Sequence, residues 1–236
     1  MLEGKDGSGG SGGEYSAADI ASCGGIDGNL AIDFIINRPY AFAYFNGIKK
    51  IIFKKGGGVE KLVHYVFEDC SVEEVVCEDG VPGHGYQTTG QFRNCKKLRR
   101  VTAPLMETQN SGFENCTALE SVDIRTITPS DNGYQNCNNL KTIILRSLTL
   151  VPLGAGPSYW AFVLNQTPFD PDWANATGGF VLVPSALAAE YSIATNWSAL
   201  CEAGKCTFLP LEEYTVDGTT TGAINWDKLN AVVYAE

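Results

Sequence analysis

One ten-residue phrase occurs three times in this chain, and successive copies begin 21 residues apart. The copies start at Phe92, Phe113 and Tyr134, and each reads aromatic-x-Asn-Cys-x-x-Leu-x-x followed by Val or Ile. Self-similarity at a fixed period of about 20–50 residues is typical of solenoids, in which every repeat forms one coil stacked on the next. The phrase therefore predicts an elongated repeat fold, which provides a surface first and a reaction centre only rarely.

The second half of each phrase predicts a short β-strand buried on one face. It ends in apolar residues at alternate positions, which is the side-chain period of such a strand. The three best copies have their first apolar anchors at Leu98, Leu119 and Leu140, and two degenerate copies have theirs at Ile48 and Val72. The interpretation is an α/β-type repeat solenoid with a short parallel β-sheet and irregular connecting arcs.

Charged pairs in the predicted strands support the stacking independently. They lie between the first and second anchors of successive copies, as Lys49-Lys50, Glu73-Glu74, Arg99-Arg100, Glu120-Ser121 and Lys141-Thr142. Their sign alternates, and strands of neighbouring coils lie about 4.8 Å apart. Opposite charges are therefore expected to be adjacent and to oppose register slips. An anionic partner is the alternative explanation of the basic cluster around Arg99.

The phrases resemble the BspA-type leucine-rich repeat, a bacterial surface family with the consensus Phe-x-x-Cys-x-x-Leu-x-x-Val. The similarity covers Phe42–Leu145 and continues in Phe180–Pro184, Tyr191 and Trp197, which are similar to the end of the family's domain. A departure is Phe45, which stands where the consensus has Cys. The resemblance implies a non-catalytic module that binds host or matrix ligands at the cell surface or outside the cell, and it carries no catalytic residue.

The chain divides into five predicted segments. Residues 1–14 are a flexible Gly/Ser leader, 15–41 an N-terminal cap, 42–150 the leucine-rich-repeat coils, 151–211 a final distorted coil with a capping helix, and 212–236 an extension without an assigned role. The N-terminal cap includes a strand predicted over Leu30–Asn37. Solenoids need such caps to cover the open ends of the core. The capping helix is expected to start with Ser185 as its N-cap and to end near Gly204.

The repeat phase also predicts two ladders of identical side chains. One contains Cys95, Cys116 and Cys137, and the other contains Asn94, Asn115 and Asn136. The thiols are expected to point inward as small apolar groups, because parallel side chains do not face each other for a disulfide. The amides are expected to satisfy backbone groups in the turns.

A different cysteine pair, Cys201 and Cys206, is separated by a loop and is left open between a disulfide and free thiols.

Composition excludes several classes of partner. The net charge of −10 argues against a general nucleic-acid or anionic-membrane binder. No apolar run approaches the roughly 18–20 residues of a membrane span. Residues 1–13 are polar and carry no secretory signal. Export is therefore expected to depend on a signal outside this chain or on assembly into a particle.

The sequence contains no convincing catalytic motif. The glycine patterns that imitate a nucleophile elbow and a dinucleotide fingerprint fall in the leader, where the required strand and helix are not expected. The two histidines, His64 and His84, have no identifiable nucleophile or carboxylate partner. No catalytic residue, metal ligand or cofactor is predicted.

The remaining candidates for function are residues on the predicted surface. The outward strand positions form a row of five residues, Ile52, Val76, Thr102, Asp123 and Ile144, and Trp173 is a further candidate for binding. The row is either a covered face or a contact patch for a protein or glycan ligand. The leading hypothesis is a secreted or surface-displayed adhesion module. The alternative is a structural or decoration protein of a phage particle, with particle or self-assembly contacts.

Overall fold

A single parallel sheet organises the molecule. The computed structural model describes residues 28–32, 39–55, 62–78, 89–108, 111–127, 132–154 and 163–235. Its sheet has 8 strands that follow one another in chain order, and every neighbouring pair is parallel. The predicted repeat solenoid with a parallel sheet is therefore confirmed.

Five of the strands begin at the second residue of the pairs that lie between the first and second anchors. The strands of the sheet are β1 (Asn29–Ile32), β2 (Lys50–Phe53), β3 (Glu74–Cys77), β4 (Arg100–Thr108), β5 (Ser121–Ile127), β6 (Thr142–Leu145), β7 (Gly179–Val183) and β8 (Cys206–Pro210). The predicted second anchors pair directly, in the order Ile51, Val75, Val101, Val122 and Ile143. The predicted register is thus the observed one.

A column of stacked aromatic rings runs through the core. Its members occupy the first position of each copy and are Phe42, Phe67, Phe92, Phe113 and Tyr134. Successive ring centroids are 5.4, 5.2, 5.6 and 5.6 Å apart and the rings are nearly parallel. Each such pair contributes about 0.5–1.5 kcal/mol beyond its buried area.

The structure places the repeat cysteines in a second column. Cys95, Cys116 and Cys137 are fully buried free thiols. Each S–H donates to a backbone carbonyl of the preceding coil, at 3.0, 3.0 and 3.1 Å between sulfur and oxygen. Burial raises the pKa of all three thiols. They therefore act as neutral packing groups that also tie one coil to the next.

The asparagines form a third column, with hydrogen bonds that differ from those expected. Asn115 Nδ2 donates to Asn94 Oδ1 at 2.8 Å, and Asn136 Nδ2 donates to Asn115 Oδ1 at 2.6 Å. Asp69 accepts from Asn94 at the start of the column. The amides thus bond to one another, while Asn138 and Asn139 donate to backbone carbonyls instead.

The C-terminal cap is not the single helix predicted from Ser185 to Gly204. It consists of a 3₁₀ turn over Ser185–Leu187, helix α1 (Ala188–Ile193) and helix α2 (Trp197–Glu202). The break occurs at Asn196, which has φ of 71° and donates to the Leu153 carbonyl at 2.7 Å. Ser185 makes no capping bond within its own turn, and its hydroxyl donates to the Glu212 carboxylate instead.

Two aromatic residues of the cap are buried and bind the backbone of Val151. Trp197 is fully buried and its Nε1 donates to the Val151 carbonyl at 2.8 Å. Tyr191 is also buried, and its hydroxyl accepts from the backbone N–H of Val151.

At the other end, β1 pairs with β2 as a cap strand. The remainder of its predicted range, after Ile32, lies outside the described residues as far as residue 38, and so does the leader.

Candidate binding face

The five outward positions predicted from the sequence lie in one row across the sheet. Ile52 pairs with Val76, Val76 with Thr102, Thr102 with Asp123, and Asp123 with Ile144. Ala31 and Leu182 continue the row in β1 and β7. We call this side of the sheet the outer face. Its two halves have different surroundings.

The half of the outer face around Ile144 is buried. The chain continues after β8 into a 3₁₀ turn over Leu211–Tyr214 and helix α3 (Trp226–Val233), and we call residues 211–235 the covering segment. Ile144 and Leu182 form an apolar cluster, distinct from the main core, with four side chains of this segment: Leu211, Tyr214, Ile224 and Leu229. The extension to which no role was assigned therefore covers half of the predicted row.

A buried ion pair lies under the covering segment. Asp123 is 1% exposed, and the Arg146 guanidinium binds both of its carboxylate oxygens, at 2.6 and 2.8 Å. Arg146 Nη1 also donates to the carbonyls of Thr220 and Gly222, at 2.7 and 2.9 Å. Burial raises the pKa of Asp123, and Arg146 opposes that shift. Asp123 is thus an anchor for the segment and not a surface residue.

Three cationic side chains lie over aromatic rings of the covering segment. Two of these contacts join the segment to the repeat coils, and the third lies within the segment. Arg100 of β4 lies 4.2 Å from the centre of the Trp226 ring, and Lys141 lies 4.5 Å from that of Tyr234. Lys228 lies 5.4 Å from the Tyr214 ring. Each such contact is worth about 0.5–1 kcal/mol at an exposed site and more when desolvated. The segment therefore extends from β8 as far as β4.

The other half of the outer face is half-exposed. Ile52 and Val76 lie side by side in neighbouring strands. Cross-coil ion pairs flank them on both sides, with Lys50 at 2.9 Å from Glu74 and Lys54 at 2.6 Å from Glu78. These six residues and Thr102 define what we call the open half-face: Lys50, Ile52, Lys54, Glu74, Val76, Glu78 and Thr102.

The predicted alternation of charges is confirmed by these ion pairs and by Arg99 with Glu120 at 2.6 Å. An apolar centre within a polar rim is also the general anatomy of a protein–protein interface.

Trp173 lies apart from the row. It is half-buried on the arc that joins β6 to β7, where its backbone N–H donates to the Asp170 carbonyl. Phe169 of the same arc is fully buried in the main core. Trp160 and Phe162, two aromatic residues that come earlier in the sequence, lie outside the described residues.

A second group of surface side chains was not identified from the sequence. Tyr40 and Tyr44 are exposed on the first arc, and Tyr40 stacks on Tyr65 of the next coil at 5.1 Å between ring centroids. Arg93 reaches the nearly buried Glu68 at 3.6 Å. Burial raises the pKa of Glu68. The signal that could have revealed this group is the equal offset of Tyr40 and Tyr65 from the first aromatic residue of their copies.

The described residues offer little for chemistry. His64 accepts a hydrogen bond from the Thr89 backbone N–H at 3.1 Å, which is a structural role. Within the described ranges, His, Cys, Asp and Glu side chains form no group of three or more that is suited to a metal ion. The helices described here are all too short or too polar to cross a membrane.

Comparison with known proteins identifies the repeat. The family model described as "BspA type Leucine rich repeat region (6 copies)" matches residues 86–153, which contain all three of the best phrases. Searches of curated proteins and of solved structures gave no match.

Proposed function

We propose, from the premise that residues 86–153 are a BspA-type leucine-rich-repeat region, that this chain is a non-enzymatic adhesion module. Repeat regions of this kind are typically protein-binding scaffolds associated with the cell surface. The proposed place of action is outside the cell or at its surface. The proposed binding site is the open half-face, and the observation that carries it is the half-exposed pair of Ile52 and Val76 between two cross-coil ion pairs.

The chemistry of the open half-face favours a protein ligand over a glycan. None of the side chains that define it is aromatic, whereas sugars bind preferentially on aromatic faces. The covering segment offers a further argument, because it lies on the same face through aliphatic contacts to Ile144 and Leu182 and through cation–aromatic contacts. A protein partner can supply the same groups.

The charges of the open half-face are expected to orient a bound partner. Lys50 and Lys54 are balanced by Glu74 and Glu78, although the whole chain has a net charge of −10. Balanced, alternating charges at a rim contribute to specificity and register more than to affinity. The expected partner surface is therefore apolar at its centre and carries both signs at its edge.

Surface plasmon resonance against a panel of matrix and host proteins tests this proposal. For any partner that binds, changing Ile52→Lys together with Val76→Lys is expected to weaken binding by about 10–100-fold, because two ammonium groups would be desolvated at the interface centre. The matched control is Ile193→Lys, which alters an isoleucine that is 81% exposed on the cap. Unchanged affinity in the double variant, with an unchanged circular-dichroism melt, would remove the open half-face from the proposal.

The ligand class and the location need separate tests. A glycan array is expected to give no binding that depends on Ile52 and Val76, and glycan binding lost in the double variant would contradict a protein ligand. Mass spectrometry of cell-surface fractions and of purified phage particles distinguishes adhesion from the particle alternative. Enrichment in particles would contradict the adhesion module.

A further inference from the structure

Two cysteines in the C-terminal cap differ from all the others in the described residues. Cys201 lies near the end of α2 and is partly exposed, whereas Cys206 opens β8 and is nearly buried. The turn between them is closed by two backbone bonds, from Gly204 N–H to the Cys201 carbonyl at 2.9 Å and from Lys205 N–H to the Leu200 carbonyl at 2.8 Å. This turn places the two cysteines next to each other, and each shifts the pKa of the other.

The remaining described thiols have no comparable partner. Those of the repeat column, together with Cys70, donate to backbone carbonyls of the preceding coil. Burial raises the pKa of Cys70 and of Cys77 to about 12. A thiol that stays protonated and enclosed is a poor nucleophile. Among the described thiols, the first reaction with a disulfide reagent is therefore expected at Cys201.

We propose that Cys201 and Cys206 form a reversible disulfide by exchange with a low-molecular-weight disulfide such as oxidised glutathione. The hydrogen-bonded turn that joins the two cysteines and the partial exposure of Cys201 carry this inference, which does not depend on the proposed binding function. The bridge would tie the last turn of α2 to the closing strand of the solenoid. It would form in an oxidising compartment and open in a reducing one.

The exchange proceeds in two balanced steps. The Cys201 thiolate attacks one sulfur of the reagent, the S–S bond of the reagent breaks, and one thiolate leaves and takes up a proton. Cys206 then loses its proton and attacks the sulfur of Cys201 in the mixed disulfide, which expels the second reagent thiol. Two protein thiols lose two electrons and two protons, and the reagent disulfide becomes two thiols.

The assignment of the attacking sulfur follows from the surroundings of the pair. The hydrogen bond from Cys206 lowers the pKa of Cys201, and the same bond together with burial raises that of Cys206. The more exposed sulfur is thus also the one that ionises first. Cys206 becomes the resolving thiol, because the turn already holds it beside Cys201.

The test uses the full-length chain with Cys23→Ser, because Cys23 lies outside the described residues. The reduced protein is equilibrated with oxidised glutathione under native conditions. The intact mass is expected to fall by two hydrogen atoms. Trypsin cleaves after Lys205 and separates the two cysteines, so peptides that remain linked identify the bridge. The oxidised form should melt about 4 °C higher, as expected for a short closed loop in a chain of this size.

Two variants separate the steps. Cys206→Ser should accumulate glutathione on Cys201 without a bridge, and Cys201→Ser should leave Cys206 unmodified. A different pairing, a stable glutathione adduct on the parent chain, or a bridge that forms only in denaturant would overturn the proposal. If a serine variant has a lowered melting temperature, the corresponding alanine variant replaces it. The linked peptides of the parent chain decide the outcome independently of any variant.

Discussion

At the scale of single residues, the asparagine column combines two demands at one position. Asn94, Asn115 and Asn136 have φ of 62°, 63° and 62°, a backbone conformation that few side chains other than Asn and Asp adopt readily. Each of the three donates one amide hydrogen bond along the column, and Asn94 and Asn115 also accept one. Glycine would meet the first demand and fail the second, which explains why the repeat uses asparagine.

Replacements of Asn115 are expected to separate these two contributions. Asn115→Gly removes two amide bonds and should cost about 1–2 kcal/mol of unfolding free energy. Asn115→Ala adds the left-handed backbone penalty of about 1–2 kcal/mol and should be the less stable variant. Urea unfolding of both variants measures the difference. Equal stability would mean that the backbone conformation contributes nothing.

At the scale of elements, the covering segment depends on one cation. Arg146 extends from the end of β6, binds Asp123 on the neighbouring strand and donates to two carbonyls of the segment. Its side chain is 6% exposed. Removing one member of a buried pair is costly because the other charge stays desolvated, whereas apolar replacement of both members is often tolerated.

Three variants test the anchoring role of Arg146. Asp123→Leu is expected to cost roughly 3–5 kcal/mol of stability, because it leaves the Arg146 charge buried without its partner. Arg146→Met should cost more, because it also leaves the carbonyls of Thr220 and Gly222 without their donor. Asp123→Leu combined with Arg146→Met should lose less than the sum of single changes. Urea unfolding gives these values, and Glu74→Gln on the open half-face is the control, with an expected change of about 0–1 kcal/mol.

If the stability lost in the double variant equals the sum of the losses in the two single variants, Asp123 and Arg146 are not a coupled pair. A loss at Arg146 no larger than that at Asp123 would contradict its hold on the covering segment.

The sheet and the covering segment differ in how far the sequence could predict them. The repeated phrase predicted strands β2 to β6 and their register, because each coil repeats the same local pattern and contacts its immediate neighbours. The covering segment has no period, and its anchor joins Arg146 to Gly222 over 76 residues. Neither its position nor the burial of Asp123 follows from local pattern. The division of the cap at Asn196 also depends on a distant carbonyl, that of Leu153.

At the scale of the whole molecule, the covering segment changes how the solenoid holds together. In a simple solenoid each coil contacts only its neighbours, so stability is a sum of local terms and the ends fray. Here one segment contacts strands from β4 to β8 through Trp226, Arg146 and the cluster around Ile144. The C-terminal half is therefore expected to open as one cooperative unit, and the coils that carry the open half-face are expected to open more readily.

Native-state hydrogen exchange tests this expectation in full. Backbone amides of β5, β6 and β7 should be protected at least about tenfold more than those of β2 and β3, because opening the covered coils must also release the segment. In Arg146→Met the protection of β5 to β7 should fall towards that of β2 and β3, while β2 and β3 stay unchanged. Uniform protection in the parent chain, or a uniform loss in the variant, would show that the coils unfold together and that the covering segment adds no separate unit of stability.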